Sequence, residues 1–134
     1  MKFRGVNHLA MVTNDMEKTV RFYRDVLGMP LVAAVGNIPG GYPYRHYFFE
    51  SGPNNTIAFF EWQGVKAEHK PAGMPTRGVV QFDHLSFNVE DEKMLLELKA
   101  QLEGHGVNVT HSLVQGGLDD VYIWEDSNGI LNWD

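Results

Sequence analysis

Residues 6–13 are rich in strand formers, with Val6, Leu9, Met11 and Val12, and end at Asn14 and Asp15, polar residues suited to capping a helix. From residue 15 to residue 27 apolar side chains recur at three- and four-residue steps, at Met16, Val20, Tyr23, Val26 and Leu27. Glu17, Lys18, Arg21, Arg24 and Asp25 take the other side, so the spacing predicts an amphipathic helix. Gly28 and Pro30 stop it, the first by accepting a left-handed conformation and the second by breaking the hydrogen-bond ladder. Three strand-like runs follow, over residues 31–35, 44–50 and 56–62. A Gly/Pro-rich loop over residues 36–43 separates the first two, and residues 51–55 have hairpin chemistry.

After a polar connector over residues 64–78 the order begins again. A strand is expected over 79–89, a helix over 91–105 with Met94, Leu95, Leu98 and Leu102 inward, and strands over 107–113, 121–125 and 130–133. Each half reads β-α-β-β-β. The repetition extends to residues: His8-Leu9 and His84-Leu85 both stand in an opening strand, followed by the polar caps Asn14-Asp15 and Glu90-Asp91. Internal duplication is the simplest account. The expectation is one α+β domain over residues 1–134, with module one at about 5–63 and module two at about 79–134. Neither half covers its own inner face, so two paired halves should enclose a cavity between curved sheets.

Composition narrows the function. The 134 residues fit one domain, and 43% hydrophobic residues suffice to fill its core. A net charge of −6 provides no basic footprint for nucleic acid and no attraction to an anionic membrane. With no cysteine, disulfides and thiolate sites are excluded, and a metal must be held by His, Asp, Glu, carbonyls or water. The first residues lack the apolar run of a signal peptide and no stretch reaches membrane-helix length, so a cytoplasmic location is expected.

Val6-Asn7-His8-Leu9, the run from Thr19 to Met29 with Phe22-Tyr23-Arg24-Asp25-Val26-Leu27-Gly28 inside it, Phe82-Asp83-His84-Leu85 and Glu125-Asp126-Ser127-Asn128-Gly129 together form a pattern spanning nearly the whole chain. It resembles the vicinal oxygen chelate superfamily, which includes glyoxalase I, extradiol dioxygenases and the fosfomycin- and bleomycin-resistance proteins. The resemblance implies two βαβββ modules, a homodimer, and metal ligands drawn from the first and last strands of the modules. It carries the two histidine positions onto His8 and His84. The acidic positions carry over less directly: Ala58 stands where the family has a carboxylate in the fourth strand, and Glu61 lies three residues later. At the end of the chain Asn132 or Trp133 takes the second acidic place, leaving Asp134 as the nearby acid.

Two neutral imidazoles and a carboxylate can hold a divalent ion (Fe, Mn, Ni, Zn or Co) with positions left open for substrate. The first expectation is therefore a metal-dependent lyase, isomerase or dioxygenase acting on a small molecule with adjacent oxygens. His8 and His84 are its ligands, with Glu61 or Asp134 as a third. Glu61 is equally read as a solvated strand-end acid, and Asp134 as a frayed terminus. The alternative is a binding protein of the bleomycin-resistance type that needs no metal, favoured by the missing acids and the abundant aromatics. His46 alternates with Arg45 and Tyr47; if its face lines the cavity it is a candidate general base or hydrogen-bond donor, and otherwise a histidine packed among aromatics.

Overall fold

The computed structural model describes residues 1–36, 44–62, 78, 84–107, 109, 113–115 and 118–124. The chain divides into two compact units, Met1–Lys66 and Ala67–Asp134. The boundary falls in the polar connector.

The first unit is a four-stranded sheet covered on one face by a helix. Its strands are β1 (His8–Thr13), β2 (Leu31–Gly36), β3 (Tyr44–Gly52) and β4 (Asn55–Trp62), in the order β1-β4-β3-β2. β1 runs parallel to β4, and β3 is antiparallel to both of its neighbours. The parallel pair follows from connectivity, because the chain crosses over through the helix and a three-stranded meander before returning beside β1. The β3–β4 hairpin turns where Asn54 adopts a φ of 62°, and a Cβ on Gly52 would stand 3.0 Å from Asn55 Oδ1. One extra residue in β2 shifts the register between Leu31 and Ala33, so that Leu31 pairs with Phe49 but Ala33 with Phe48.

Helix α1 (Met16–Val20) starts at Asp15, whose Oδ1 accepts a hydrogen bond from the Lys18 N–H at 2.9 Å. It then widens over Arg21–Val26 into a π-helical turn, with Leu27 N–H bonded to the Phe22 carbonyl at 2.9 Å. The sequence spacing predicts a plain α-helix here. Phe22 and Tyr23 both face inward, as i+3 and i+4 from the buried Thr19. Tyr23 lies over the sheet, 5.5 Å from the Phe49 ring and 4.9 Å from the Phe59 ring, centroid to centroid. Met16, Thr19, Phe22, Tyr23 and Val26 are buried against this face, and Gly28, at φ 77°, ends the segment. Thr19 and Phe22 are the members the apolar pattern does not contain, and Thr19 is the polar one. Its hydroxyl donates to the Asp15 carbonyl at 2.9 Å and lies 2.8 Å from Thr13 Oγ1, which satisfies two buried polar side chains at once.

In the second unit, β5 (His84–Asn88), α2 (Glu92–Gly104), β6 (Leu113–Gln115) and β7 (Leu118–Trp124) are described, and the strands lie in the order β5-β7-β6. α2 starts as α1 does: Asp91 Oδ1 accepts from the Met94 N–H at 2.8 Å. Leu95 and Leu102 are buried, while Met94, expected inward, is 42% exposed because it is turned about 100° from Leu95 on the helix. β7 begins at Leu118 rather than at residue 121, and it runs antiparallel to β5. The expected strand over 130–133 and Asp134 lie outside the described residues.

Replacing Thr19 with Val keeps its volume but strands the Thr13 hydroxyl with a weaker set of partners. Urea unfolding is expected to show a loss of about 1 kcal/mol, the net size of one buried hydrogen bond. A loss within experimental error would mean that the threonine pair does not help to hold α1.

Candidate functional site

Side-chain alternation divides the first sheet into two chemically distinct faces. Met11, Thr13, Phe49, Ile57, Phe59 and Glu61 point to the helix and are buried. The opposite face carries His8, Ala10 and Val12 from β1, His46 and Phe48 from β3, and Ala58, Phe60 and Trp62 from β4. Of these, His8, Ala10 and Val12 are exposed, so this face is open along β1. On β3, His46 and Phe48 lie on the same face as His8, Arg45 and Phe49 on the helix-covered one.

His8 opens β1 directly opposite Thr56 of β4. Its Nδ1–H donates to Asn7 Oδ1 at 2.8 Å, and its ring meets Phe48 edge-on at 5.8 Å. In the neutral ring this leaves the Nε2 lone pair as the acceptor, the tautomer a metal-binding imidazole needs. His46 lies flat on Phe60, with centroids 3.5 Å apart and planes inclined by 16°, and tilts against Phe48 at 4.4 Å. Phe60 stacks in turn on Trp62 at 6.4 Å. Burial, and then the like charge of His8, push the His46 pKa below the usual imidazole value.

Regular alternation puts Glu61 on the helix-covered face, opposite to that of Ala58 and His8, where it is 7% exposed and not a solvated strand-end acid. Its Oε2 accepts from the Met16 N–H at 2.6 Å, at the positive end of α1, and Arg45 clasps both oxygens at 2.7 and 2.8 Å. The same Arg45 reaches Glu17 at 2.6 and 3.0 Å, and its hydrogen bonds hold the Glu17 carboxyl at about 2. Regular alternation in β4, with no bulge at Glu61, is the physical reason it joins this cluster and not the histidine. The apolar pattern gives no sign of the cluster, because its members lie 16 and 28 positions apart in the chain.

Among the described residues no three His, Asp or Glu side chains converge. His84 opens β5 opposite Trp124 in register, as His8 opens β1 opposite Thr56. The Gly/Pro-rich loop over residues 36–43 lies outside the described residues from residue 37 to residue 43.

A sheet built on a His-bearing first strand, a crossover helix and a three-stranded meander defines a class of protein, and comparison with known proteins gives its family. The chain belongs to the Glyoxalase/Bleomycin resistance protein/Dioxygenase superfamily, whose family model matches residues 5–133. It is 29% identical over 118 residues to the putative ring-cleaving dioxygenase MhqE of Bacillus subtilis (strain 168), covering 87% of this chain and 36% of that protein. This chain therefore spans about a third of that relative's length. It is 26% identical over 126 residues to the lactoylglutathione lyase of Haemophilus influenzae, covering 91% of this chain and 84% of the lyase. The crystal structure of a glyoxalase family protein from Enterococcus faecalis matches at a TM-score of 0.69 and 19% identity, over 98% of this chain and 96% of that one. The fold is thus the α+β glyoxalase type.

Two outcomes follow from this geometry. Glu61→Gln should lower stability in urea by about 2–3 kcal/mol, below the full cost of breaking a buried ion pair because Arg45 keeps Glu17 and some water. It should leave any metal content unchanged, and a variant that loses metal instead would place Glu61 in the ligand set. His46, observed by imidazole NMR, should titrate with a midpoint below 6.5. Since its folded value lies under its unfolded one, its contribution to stability is complete above pH 6.5 and is lost as pH falls through the folded value. A midpoint at or above 6.5 would mean that the ring is not desolvated.

Proposed function

We propose that this chain is a metal-dependent enzyme acting on a small molecule with adjacent oxygens, as a dioxygenase, lyase or isomerase, with His8 and His84 as its imidazole ligands. The observation that carries this reading is His8 itself, exposed on the open face with Nδ1 fixed by Asn7 and Nε2 left to accept an ion. His84 joins it by its matching place at the start of the second unit's opening strand. Asp134 remains the proposed acidic ligand, and Glu61 is not proposed, since its oxygens are taken up by Arg45 and the start of α1. A divalent ion held there supplies Lewis acidity toward neighbouring oxygens. The chain's own residues provide the rest: Asn7 orients the ring, and Phe48, Phe60 and Trp62 offer an apolar wall for the substrate's carbon skeleton. The superfamily's divalent-metal chemistry and the activities named for the two relatives, a ring-cleaving dioxygenase and a lactoylglutathione lyase, support the same class.

A second reading, a metal-free binding protein, draws on one specific observation. Thr56 and Ala58, the residues of β4 beside His8 on the open face, carry no carboxylate. A homodimer and a cytoplasmic location accompany either reading, since superfamily members often form dimers and no described helix is long and apolar enough to cross a membrane.

Protein purified without chelator should hold about one divalent ion per chain by elemental analysis, and His8→Ala and His84→Ala should each abolish it. Asn7→Ala should weaken metal binding by about 10–100-fold, as loss of an outer partner of a ligating histidine does. Metal-free protein that cannot be loaded with Fe, Mn, Ni, Zn or Co would overturn the enzyme reading. Ligand-induced thermal shifts unaffected by EDTA and by the double histidine variant would establish the binding protein.

A further inference from the structure

The helix does not cover its side of the first sheet all the way to the β2 edge. On that side Phe49, Tyr47 and Arg45 of β3 stand opposite Leu31, Ala34 and Gly36 of β2. The β2 partners shrink along the strand, so the edge supplies bulk beside Phe49 and very little beside Tyr47 and Arg45. A cleft of about 360 Å³ opens there between sheet and helix, a volume within the roughly 300–1,000 Å³ of small-molecule sites. Leu31, Arg45 and Tyr47 form its sheet wall. Opposite them, Glu17, Val20, Arg21 and Arg24 follow one another at steps of three, one and three residues along a single stripe of the helix.

Three guanidiniums and one carboxylate line this cleft, in a chain whose net charge is −6. Arg45 is engaged by Glu61 and by Glu17, the one carboxylate on the wall. Arg24 gives Nε and Nη2 to Asp25 at 2.8 and 3.3 Å, which leaves its Nη1 unused. Arg21 makes no hydrogen bond or ion pair among the described residues, and Glu17 and Asp25 act on it only through longer-range attraction. We propose that this cleft is a binding site for a small aliphatic carboxylate, its head on Arg21 and Arg24 and its chain against Val20 and Leu31. The planar fork of a guanidinium presents paired N–H groups that match the two oxygens of a carboxylate. An aliphatic chain suits the remaining wall, since Val20 and Leu31 are half-buried hydrocarbon and the Tyr47 ring already has the Arg45 guanidinium 5.9 Å from its centroid. The cleft lies on the side of the sheet away from His8, so the inference goes beyond the proposed function and requires neither catalysis nor a metal.

Titration of the ¹⁵N-labelled full-length protein with hexanoate, 1-hexanol and acetate, followed by NMR at the backbone amides and the arginine Nε–H groups, tests this. EDTA is present throughout, so that coordination of the carboxylate to a metal at His8 does not contribute. Hexanoate should shift the Arg21 and Arg24 Nε–H signals and the Val20 and Leu31 amides along one saturable curve, and should bind more tightly than hexanol, which lacks the charge, or acetate, which lacks the chain. Arg21→Gln removes a charge from an exposed side chain that holds nothing in the fold; it should weaken hexanoate by about fivefold, the upper size of an exposed ion pair, and leave hexanol unchanged. Raised salt should weaken hexanoate in the wild type and have less effect in the variant. No saturable binding of hexanoate, equal binding of hexanol, shifts scattered over the other arginines and lysines, or an unchanged affinity in Arg21→Gln overturns the proposal.

Discussion

The alternation of side chains along β4 is the constraint from which the first unit's organisation follows. Ile57, Phe59 and Glu61 go down to the helix, and Ala58, Phe60 and Trp62 go up to the open face. Because the period is two, a slip of one residue would exchange the faces, burying Trp62 under the helix and lifting a carboxylate into the aromatic wall. Glu61 resists that slip. Its charge is compensated only where Arg45 and the first N–H of α1 meet it, and an uncompensated carboxylate on a buried face is costly. One ion-paired acid therefore fixes the register, and the register decides which residues share a face with His8.

This division of labour explains why an acid near the expected ligand position takes no part beside His8. Within this sheet the carboxylate belongs to the folding side, and the open side is left with imidazole, aromatic carbon and small residues. The bulge in β2 serves the same end. It brings Ala33 and Val35 into line with Phe48 and His46, so small side chains flank the rings at the sheet edge. The face that results is apolar, ring-lined and marked by two imidazoles.

Much of this is legible in the residues alone. The duplication shows in two His-Leu pairs, and the helix starts show in Asp15 and Asp91, since an N-cap is a local bargain between one carboxylate and a nearby N–H. The strand ranges of the first unit differ from the pattern by one or two residues, because alternation is a short-range signal. The π-helical turn is not legible, because a spacing of three and four residues fits an α-helix as well, and the wider Leu27-to-Phe22 bond appears only in the folded backbone. Nor is the Glu17–Arg45–Glu61 cluster, whose members meet only after the sheet has formed.

The chemistry of the site follows from what each imidazole has next to it. His8 stands at the exposed edge with one nitrogen held by an amide oxygen, the arrangement that leaves a directed lone pair for an electrophile. His46 lies between hydrocarbon neighbours with one nitrogen buried and unpaired, the arrangement that favours a neutral ring. Two histidines on one sheet face are thus not interchangeable. The first is organised by its hydrogen bond to Asn7, and the second by stacking on Phe60.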